Sequence, residues 1–198
     1  MSPDGQVKRL FVGTYLSPQQ QESLGTLSER KLELEKDLNC RVRLVKQHKL
    51  HLTWLFLGDV EAQRVPEICQ KLKTVLLSTK EMSLIYKQMQ LWPSVKKARM
   101  IVLTPEKVPA EVHNLAAAIF SELAPCVKKI GHREYHPHIT LARLQREDFE
   151  AASLKIPDWF MHDCCLPITH QIARIELIQS ELGKQADEYQ TLFSLDLH

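Results

Sequence analysis

The chain has 198 residues, 44% of them apolar and 25% charged, which suffices for one large domain or two small lobes with a real core. It contains no run of about 18 apolar residues, which excludes a membrane-spanning helix, and its net charge of +2 excludes a uniformly basic nucleic-acid coat. Its 5 cysteines are odd in number and form no CxxC pair, which fits a reducing compartment and argues against a disulfide framework or a cysteine zinc site.

Residues Met1 to Gln6 hold no apolar signal core, so the expected compartment is the cytoplasm. Lys8 to Leu16 reads as an apolar, aromatic strand. Ser17 and Pro18 then look like an N-cap followed by proline at the first helical position. The stripe Leu24, Leu27, Leu32, Leu34, Leu38 predicts a helix running to Leu38. A short strand is expected over Arg41 to Val45 and a longer one over Leu50 to Leu57, stopped by Gly58-Asp59. Glu61 to Ser78 carries Val65, Ile68, Leu72, Val75 and Leu76 at helical spacing.

Met82 to Trp92 and Arg99 to Leu103 read as a hairpin with its loop at Pro93 to Lys97. Pro109 to Leu123 is helical, with Val112, Leu115, Ala116, Ile119 and Leu123 on one stripe. A strand follows around His138 to Leu144, then a short helix near Glu147 to Leu154 and a polar stretch from Pro157 to Pro167. Two strands close the chain, Ile172 to Gln179 and Tyr189 to Leu197, with Gly183 in the turn between them. The order predicts an α+β fold: two intimately joined lobes, each a mostly antiparallel sheet with helices on its outer face, around a central cleft.

One short motif occurs twice. His51-Leu52-Thr53-Trp54-Leu55-Phe56-Leu57 and His138-Ile139-Thr140-Leu141-Ala142-Arg143-Leu144 share a His, an aliphatic residue, a Thr, and a Leu four places after the Thr. A strand puts residues i and i+2 on one face, so each copy projects an imidazole and a hydroxyl side by side. Two such strands brought together present two imidazoles and two hydroxyls to one small anion. Two groups titrating near neutrality suit acid–base chemistry on a phosphate. Basic residues gather at Arg41, Arg43, Lys46 and Lys49 before the first copy and at Arg143 and Arg146 around the second, and a focused cleft of that sign attracts a polyanion without a large net charge. His136 and His138 stand at i and i+2, as two ligands of a metal do, but no carboxylate accompanies them at ligand spacing, so no metal or other cofactor is expected. Phe11, Trp54 and Tyr135 are aromatic candidates for stacking a base, although strand aromatics equally belong to cores.

These motifs resemble the two-histidine phosphoesterase superfamily, as do the opening RLFVGTYLSP over 9–18 and the closing IELIQSELG over 175–183 and YQTLFSLDL over 189–197. Within it the chain is most similar to the bacterial RNA 2′,3′-cyclic phosphodiesterases, also called the 2′-5′ RNA ligase family, from Arg9 to Leu197. The resemblance implies one domain over 1–198 made of two intertwined lobes about a pseudo-two-fold axis, each lobe with one motif. It implies metal-independent hydrolysis of RNA 2′,3′-cyclic phosphate ends to 2′-phosphates, tRNA fragments among the candidate substrates, by a monomer. By position, His51 is the proton donor and His138 the acceptor, and Thr53, Thr140 and Arg143 hold the phosphate. The lead-in Leu44-Val45-Lys46-Gln47-His48-Lys49-Leu50 departs from the family pattern, and Trp54 and Phe56 are bulky where the family varies; both departures bear on the nucleobase pocket. Competing readings are a phosphodiesterase for 2′-5′ oligoadenylate or small cyclic nucleotides, and a non-catalytic nucleotide-binding module.

Overall fold

The computed structural model describes residues 7–24, 29–127, 134–145, 155–163, 166–182 and 187–198. Nine strands form one sheet: β1 (Val7–Tyr15), β2 (Arg41–Leu44), β3 (His51–Glu61), β4 (Met82–Trp92), β5 (Met100–Pro105), β6 (Ile139–Gln145), β7 (Ile168–Ile172), β8 (Arg174–Leu182) and β9 (Asp187–Asp196). Their order is β7-β4-β5-β6-β3-β1-β8-β9, with β2 also paired to β6. Every pairing is antiparallel.

The expected α+β class holds, but the two expected sheets are halves of a single one. They meet at the motif strands through one residue pair, Leu52↔Ile139. One edge of β6 serves both β3 and β2 in turn: beyond Ile139 it pairs with β2 from Ala142 to Gln145, and Val45 donates to the Leu141 carbonyl at 2.8 Å. A free edge there would leave backbone donors and acceptors unpaired, so the two halves share it. Between its contacts with β6 the chain leaves the sheet in a 3-10 turn at Gln47–Lys49.

The helices are α1 (Pro18–Ser23), α2 (Lys31–Leu38), α3 (Val65–Leu76), α4 (Ala110–Leu123) and α5 (Asp158–Asp163). α1 starts with a full capping box: Ser17 Oγ accepts from the Gln20 N–H and the Gln20 side chain accepts from the Ser17 N–H. The single helix expected to Leu38 is instead two, α1 and α2. α2 ends at Asn39 in the left-handed region, φ 46°, a conformation that Asn tolerates. α3 and α4 bury Ile68, Leu72, Leu76 and Val112, Leu115, Ile119 at helical spacing. They pack side by side, with α4 also against β3.

Gly58 does not stop β3. It sits at φ +70° within the strand, which continues to Glu61. The polar stretch from Pro157 to Pro167 contains α5, whose Trp159 donates to Asp37 of α2 at 2.8 Å. β7 was absent from the sequence reading; it completes the far edge on β4. The helix expected near Glu147 to Leu154 and the turn at Gly183 lie outside the described residues. Among the described residues, no helix is long and apolar enough to cross a membrane.

Candidate functional site

Strand alternation builds the site. On β3, Leu52 and Trp54 are buried in the core at 0% and 3% exposure, so His51 and Thr53 face the other way. Leading into and along β6, Ile139 and Leu141 are buried, so His138 and Thr140 face the same way as their counterparts. The antiparallel register fixed by Leu52↔Ile139 runs His51 toward Thr140 and Thr53 toward His138. All four line one cavity of about 670 Å³ with Arg43, Lys46, Lys49, Phe56, Trp92, Arg143 and Tyr189.

Each histidine is held the same way. Nδ1 of His51 lies 2.6 Å from the Lys49 carbonyl, and Nδ1 of His138 lies 2.8 Å from the His136 carbonyl. A carbonyl only accepts, so Nδ1 carries the proton in both rings and Nε2 is left for chemistry. In each case the acceptor is two residues before the histidine. Burial above all, with the neighbouring His138 and Arg143 adding to it against the hydrogen bond to Lys49, lowers the pKa of His51 to about 4. Burial likewise lowers that of His138. Both imidazoles are therefore neutral in the ligand-free site at pH 7.

The walls are aromatic. Trp92 lies against His138, ring centroids 4.4 Å apart. Tyr189 meets His51 edge-on at 5.5 Å, and Lys49 Nζ sits 5.1 Å from the Tyr189 ring centroid. The aromatic residues expected to stack a base lie elsewhere. Phe11 is 3% exposed and packs beneath His51 at 4.8 Å and beside Tyr189 at 5.2 Å. Tyr135 stacks on buried Trp54 at 5.7 Å and 11°, and its hydroxyl donates to the Thr53 carbonyl at 3.3 Å. Trp54 donates to Thr14 Oγ1 at 2.9 Å. These three support the motif strands from behind and do not line the cavity.

Phe56 and Tyr189 line the cavity instead, and strict alternation hides Phe56. Gly13 pairs with Thr53 but Val12 pairs with Leu55, so Trp54 is an extra residue and β3 bulges there. Val102 pairs with Thr140 but Ile101 pairs with Ala142, so Leu141 is the extra residue in β6. Each bulge follows the motif threonine directly, and each turns the residue three places after it onto the cavity face. Phe56 and Arg143 are those residues. Arg43 and Arg143 are also direct cross-strand partners on β2 and β6, a pairing of like charges that is unfavourable in itself.

The sequence model of the 2'-5' RNA ligase superfamily matches residues 18–184. The RNA 2',3'-cyclic phosphodiesterase of Aquifex aeolicus is 26% identical over 147 residues, 72% of this chain and 73% of that one. The fold superposes on Escherichia coli LigT complexed with 3'-AMP with a TM-score of 0.75 at 22% identity, covering 97% of this chain and 99% of that chain. Kluyveromyces marxianus Usb1 with uridine monophosphate matches at a TM-score of 0.55 and 8% identity, over 94% of this chain and 98% of that one.

Proposed function

Because the chain belongs to the 2'-5' RNA ligase superfamily, we propose that it opens RNA 2′,3′-cyclic phosphate ends to 2′-phosphates by metal-independent acid–base catalysis between His51 and His138. The observation that carries this reading is the matched pair of histidines. Each is tied through Nδ1 to the carbonyl two residues before it, and each offers Nε2 beside a threonine in one basic cavity. The activity named for the Aquifex aeolicus relative and the nucleotide bound by LigT support it. In this reading the two halves of the sheet are the two lobes of one domain, each with one motif.

The reaction needs water to attack phosphorus and the bond from phosphorus to O3′ to break. His138 Nε2 takes the proton of the attacking water. His51 Nε2 gives its proton to O3′, leaving a 3′-hydroxyl and a 2′-phosphate. Negative charge grows on the non-bridging oxygens, where the hydroxyls of Thr53 and Thr140 and the guanidinium of Arg143 stabilise it. Burial holds His51 neutral in the resting site, so His51 acquires its proton as the substrate binds and places a negative charge beside the ring. By microscopic reversibility the same site joins a cyclic end to a 5′-hydroxyl, which is the 2′-5′ ligase direction.

The test is a short RNA with a 2′,3′-cyclic phosphate end, incubated with the purified protein in EDTA beside His51→Ala and His138→Ala. The expected result is a 2′-phosphate product from the wild type and none from either variant. An unchanged cyclic end with wild-type protein, together with turnover of 2′-5′ oligoadenylate or a small cyclic nucleotide, moves the assignment to that substrate. Nucleotide binding without any turnover makes the protein a binding module.

A further inference from the structure

A histidine that takes a proton becomes a cation, and in a buried place that charge needs a partner. In a Ser-His-Asp triad a carboxylate supplies it through Nδ1. Among the described residues His138 has no such partner: its Nδ1 donates to the His136 carbonyl at 2.8 Å, and burial works against the charged ring. The charged and titratable groups that share its cavity or adjoin it are His51, His136, Arg43, Lys46, Lys49 and Arg143, and none of them is a carboxylate. Glu134 lies beyond His136, 3.7 Å from its exposed ring.

What does lie against His138 is Trp92. The ring centroids are 4.4 Å apart at 45°, closer than Phe11, Tyr15 or Tyr189 comes to His51. That is inside the roughly 6 Å at which an aromatic face attracts a cation, and indole attracts one most strongly. The indole is held in place. Gln88, Gln90 and Trp92 share one face of β4, and a ladder runs along it: Trp92 Nε1–H donates to Gln90 Oε1 at 3.0 Å, and Gln90 Nε2 donates to Gln88 Oε1 at 3.2 Å. The N–H edge, the positive rim of the ring, is thus turned to Gln90. The backbone is held as well: the Trp92 carbonyl accepts from the Arg99 N–H at 2.7 Å. Trp92 pairs with Met100 of β5, which pairs in turn with Arg143 of β6.

We propose that Trp92 is a positioning residue for catalysis: its indole face holds the His138 ring and steadies the imidazolium that forms when Nε2 takes the proton of the attacking water. The proposal rests on the reading of His138 as the proton acceptor. The proton leaves water as its oxygen bonds to phosphorus, and the ring that receives it carries one positive charge until solvent removes the proton. A face that favours that charge makes His138 the stronger base. It does so without a full negative charge, whereas a carboxylate in the same place would repel the anionic substrate.

The test reads the His138 ring directly. Its titration is followed by NMR of the histidine ring C–H groups, assigned through His138→Ala, in the wild type, Trp92→Phe and Trp92→Leu. The wild type and Trp92→Phe are also prepared with 5-fluorotryptophan and 5,7-difluorotryptophan. Fluorine withdraws electrons from the indole face and leaves its shape nearly unchanged, so this arm does not depend on how well a variant folds. The His138 midpoint is expected to fall stepwise with fluorination, and by about 0.4–1.5 pH units in Trp92→Leu, with Trp92→Phe between that variant and the wild type. The acid limb of kcat/KM against pH should move with it, and kcat should fall more than KM changes. A midpoint that ignores fluorination overturns the proposal. So does a raised KM with an unmoved titration, which makes Trp92 a platform for the base. An equal response to fluorination in Trp92→Phe also overturns it, because Trp54 or Trp159 then carries the effect. A midpoint that follows fluorination in a protein that opens no cyclic phosphate leaves the pairing of Trp92 with the imidazolium standing and removes the phosphodiesterase reading instead.

Discussion

Phe56 and Arg143 occupy equivalent places in the two motif strands: each follows its motif threonine by three residues, and each is turned onto the cavity face by a bulge that begins directly after that threonine. The two halves thus repeat a backbone device as well as a pair of side chains. They differ in what the device presents. The first half offers an aromatic face, the second a guanidinium, and that asymmetry gives a nearly symmetric site a direction. A base suits the Phe56 side and phosphate charge the Arg143 side.

Phe56→Ala is expected to raise the KM for a cyclic nucleotide by about 5- to 100-fold, the range that base stacking on an aromatic ring supplies, with a much smaller change in kcat. Phe56 is 65% exposed, so the melting temperature should stay nearly constant. Phe56→Tyr keeps the face and should keep the KM. Steady-state kinetics on the three proteins decide the matter; an unchanged KM in the alanine variant assigns base recognition to another ring, with Trp92 and Tyr189 the next to be substituted.

In the proposed reaction Arg143 is expected to trade stability for function. It faces Arg43 across the sheet and lowers the pKa of His51. Arg143→Gln should leave the ligand-free protein at least as stable as wild type while lowering kcat/KM by about 100-fold or more, the cost of one preorganised donor to developing charge. Inorganic phosphate should raise the melting temperature of the wild type and raise that of the variant much less. A variant that melts well below wild type would show that the arginine pair is favourable on its own, held by partners within the sheet.

Most of the fold was legible because its signals are local. Apolar and aromatic runs marked β1, β3, β5 and β6, alternation marked β2 and part of β4, helical stripes marked α3 and α4, and the doubled His-x-Thr pattern marked the strands that meet at the centre. What escaped depends on pairing. A bulge is a difference in register between two strands, so nothing in Thr53-Trp54-Leu55-Phe56 alone says that Trp54 is the extra residue; alternation sends Phe56 inward and leaves Phe11 as the apparent platform. β7 escaped because Ile168-Thr169-His170-Gln171-Ile172 follows a polar, proline-containing stretch and gains its identity from pairing with β4. The joining of the halves at one residue pair was beyond reach for the same reason.

Stability should fall as the pH drops from about 6.5 toward about 4. Burial lowers the pKa of His51 and of His170 to about 4 each, whereas an unfolded histidine titrates near 6.5. Between those values the unfolded chain binds more protons than the folded one, so stability rises with pH across that window, is fully present above it, and stops falling once the folded rings also charge. His170 is 0% exposed, with Nε2 3.1 Å from the Tyr15 carbonyl, no partner for Nδ1, and Tyr86 as its ring neighbour. His170→Phe should therefore flatten the dependence of melting temperature on pH between 4 and 6.5. The same slope in variant and wild type would place the acid sensitivity on His51 and His138, whose pKa burial also lowers; Glu35, Glu67 and Asp196, lowered by contacts from already acidic values, act only at lower pH.

Gly13 tests whether the position of the motif strand matters to catalysis. It pairs with Thr53 on β3 and Glu176 on β8. A Cβ there comes 3.1 Å from the Leu52 carbonyl oxygen, 3.1 Å from Phe11 Cε2 and 3.3 Å from Ile178 Cδ1. The two side-chain atoms can turn aside, but the carbonyl belongs to the residue between His51 and Thr53, the same residue that joins the halves through Ile139. Gly13→Ala must therefore push β3 by a few tenths of an ångström or strain the strand, at a cost of about 1–3 kcal/mol. Because a shift of β3 moves His51 relative to His138, kcat should fall further than the stability loss explains, and it should fall also at temperatures well below the melting point. Gly58, which meets no atom within 4 Å of an added Cβ but sits at φ +70°, is the control. Gly58→Ala carries backbone strain of about 1 kcal/mol without touching the site, so it should lower the melting temperature and spare kcat. Comparable losses of kcat in both variants would mean that general destabilisation, and not the placement of His51, governs turnover.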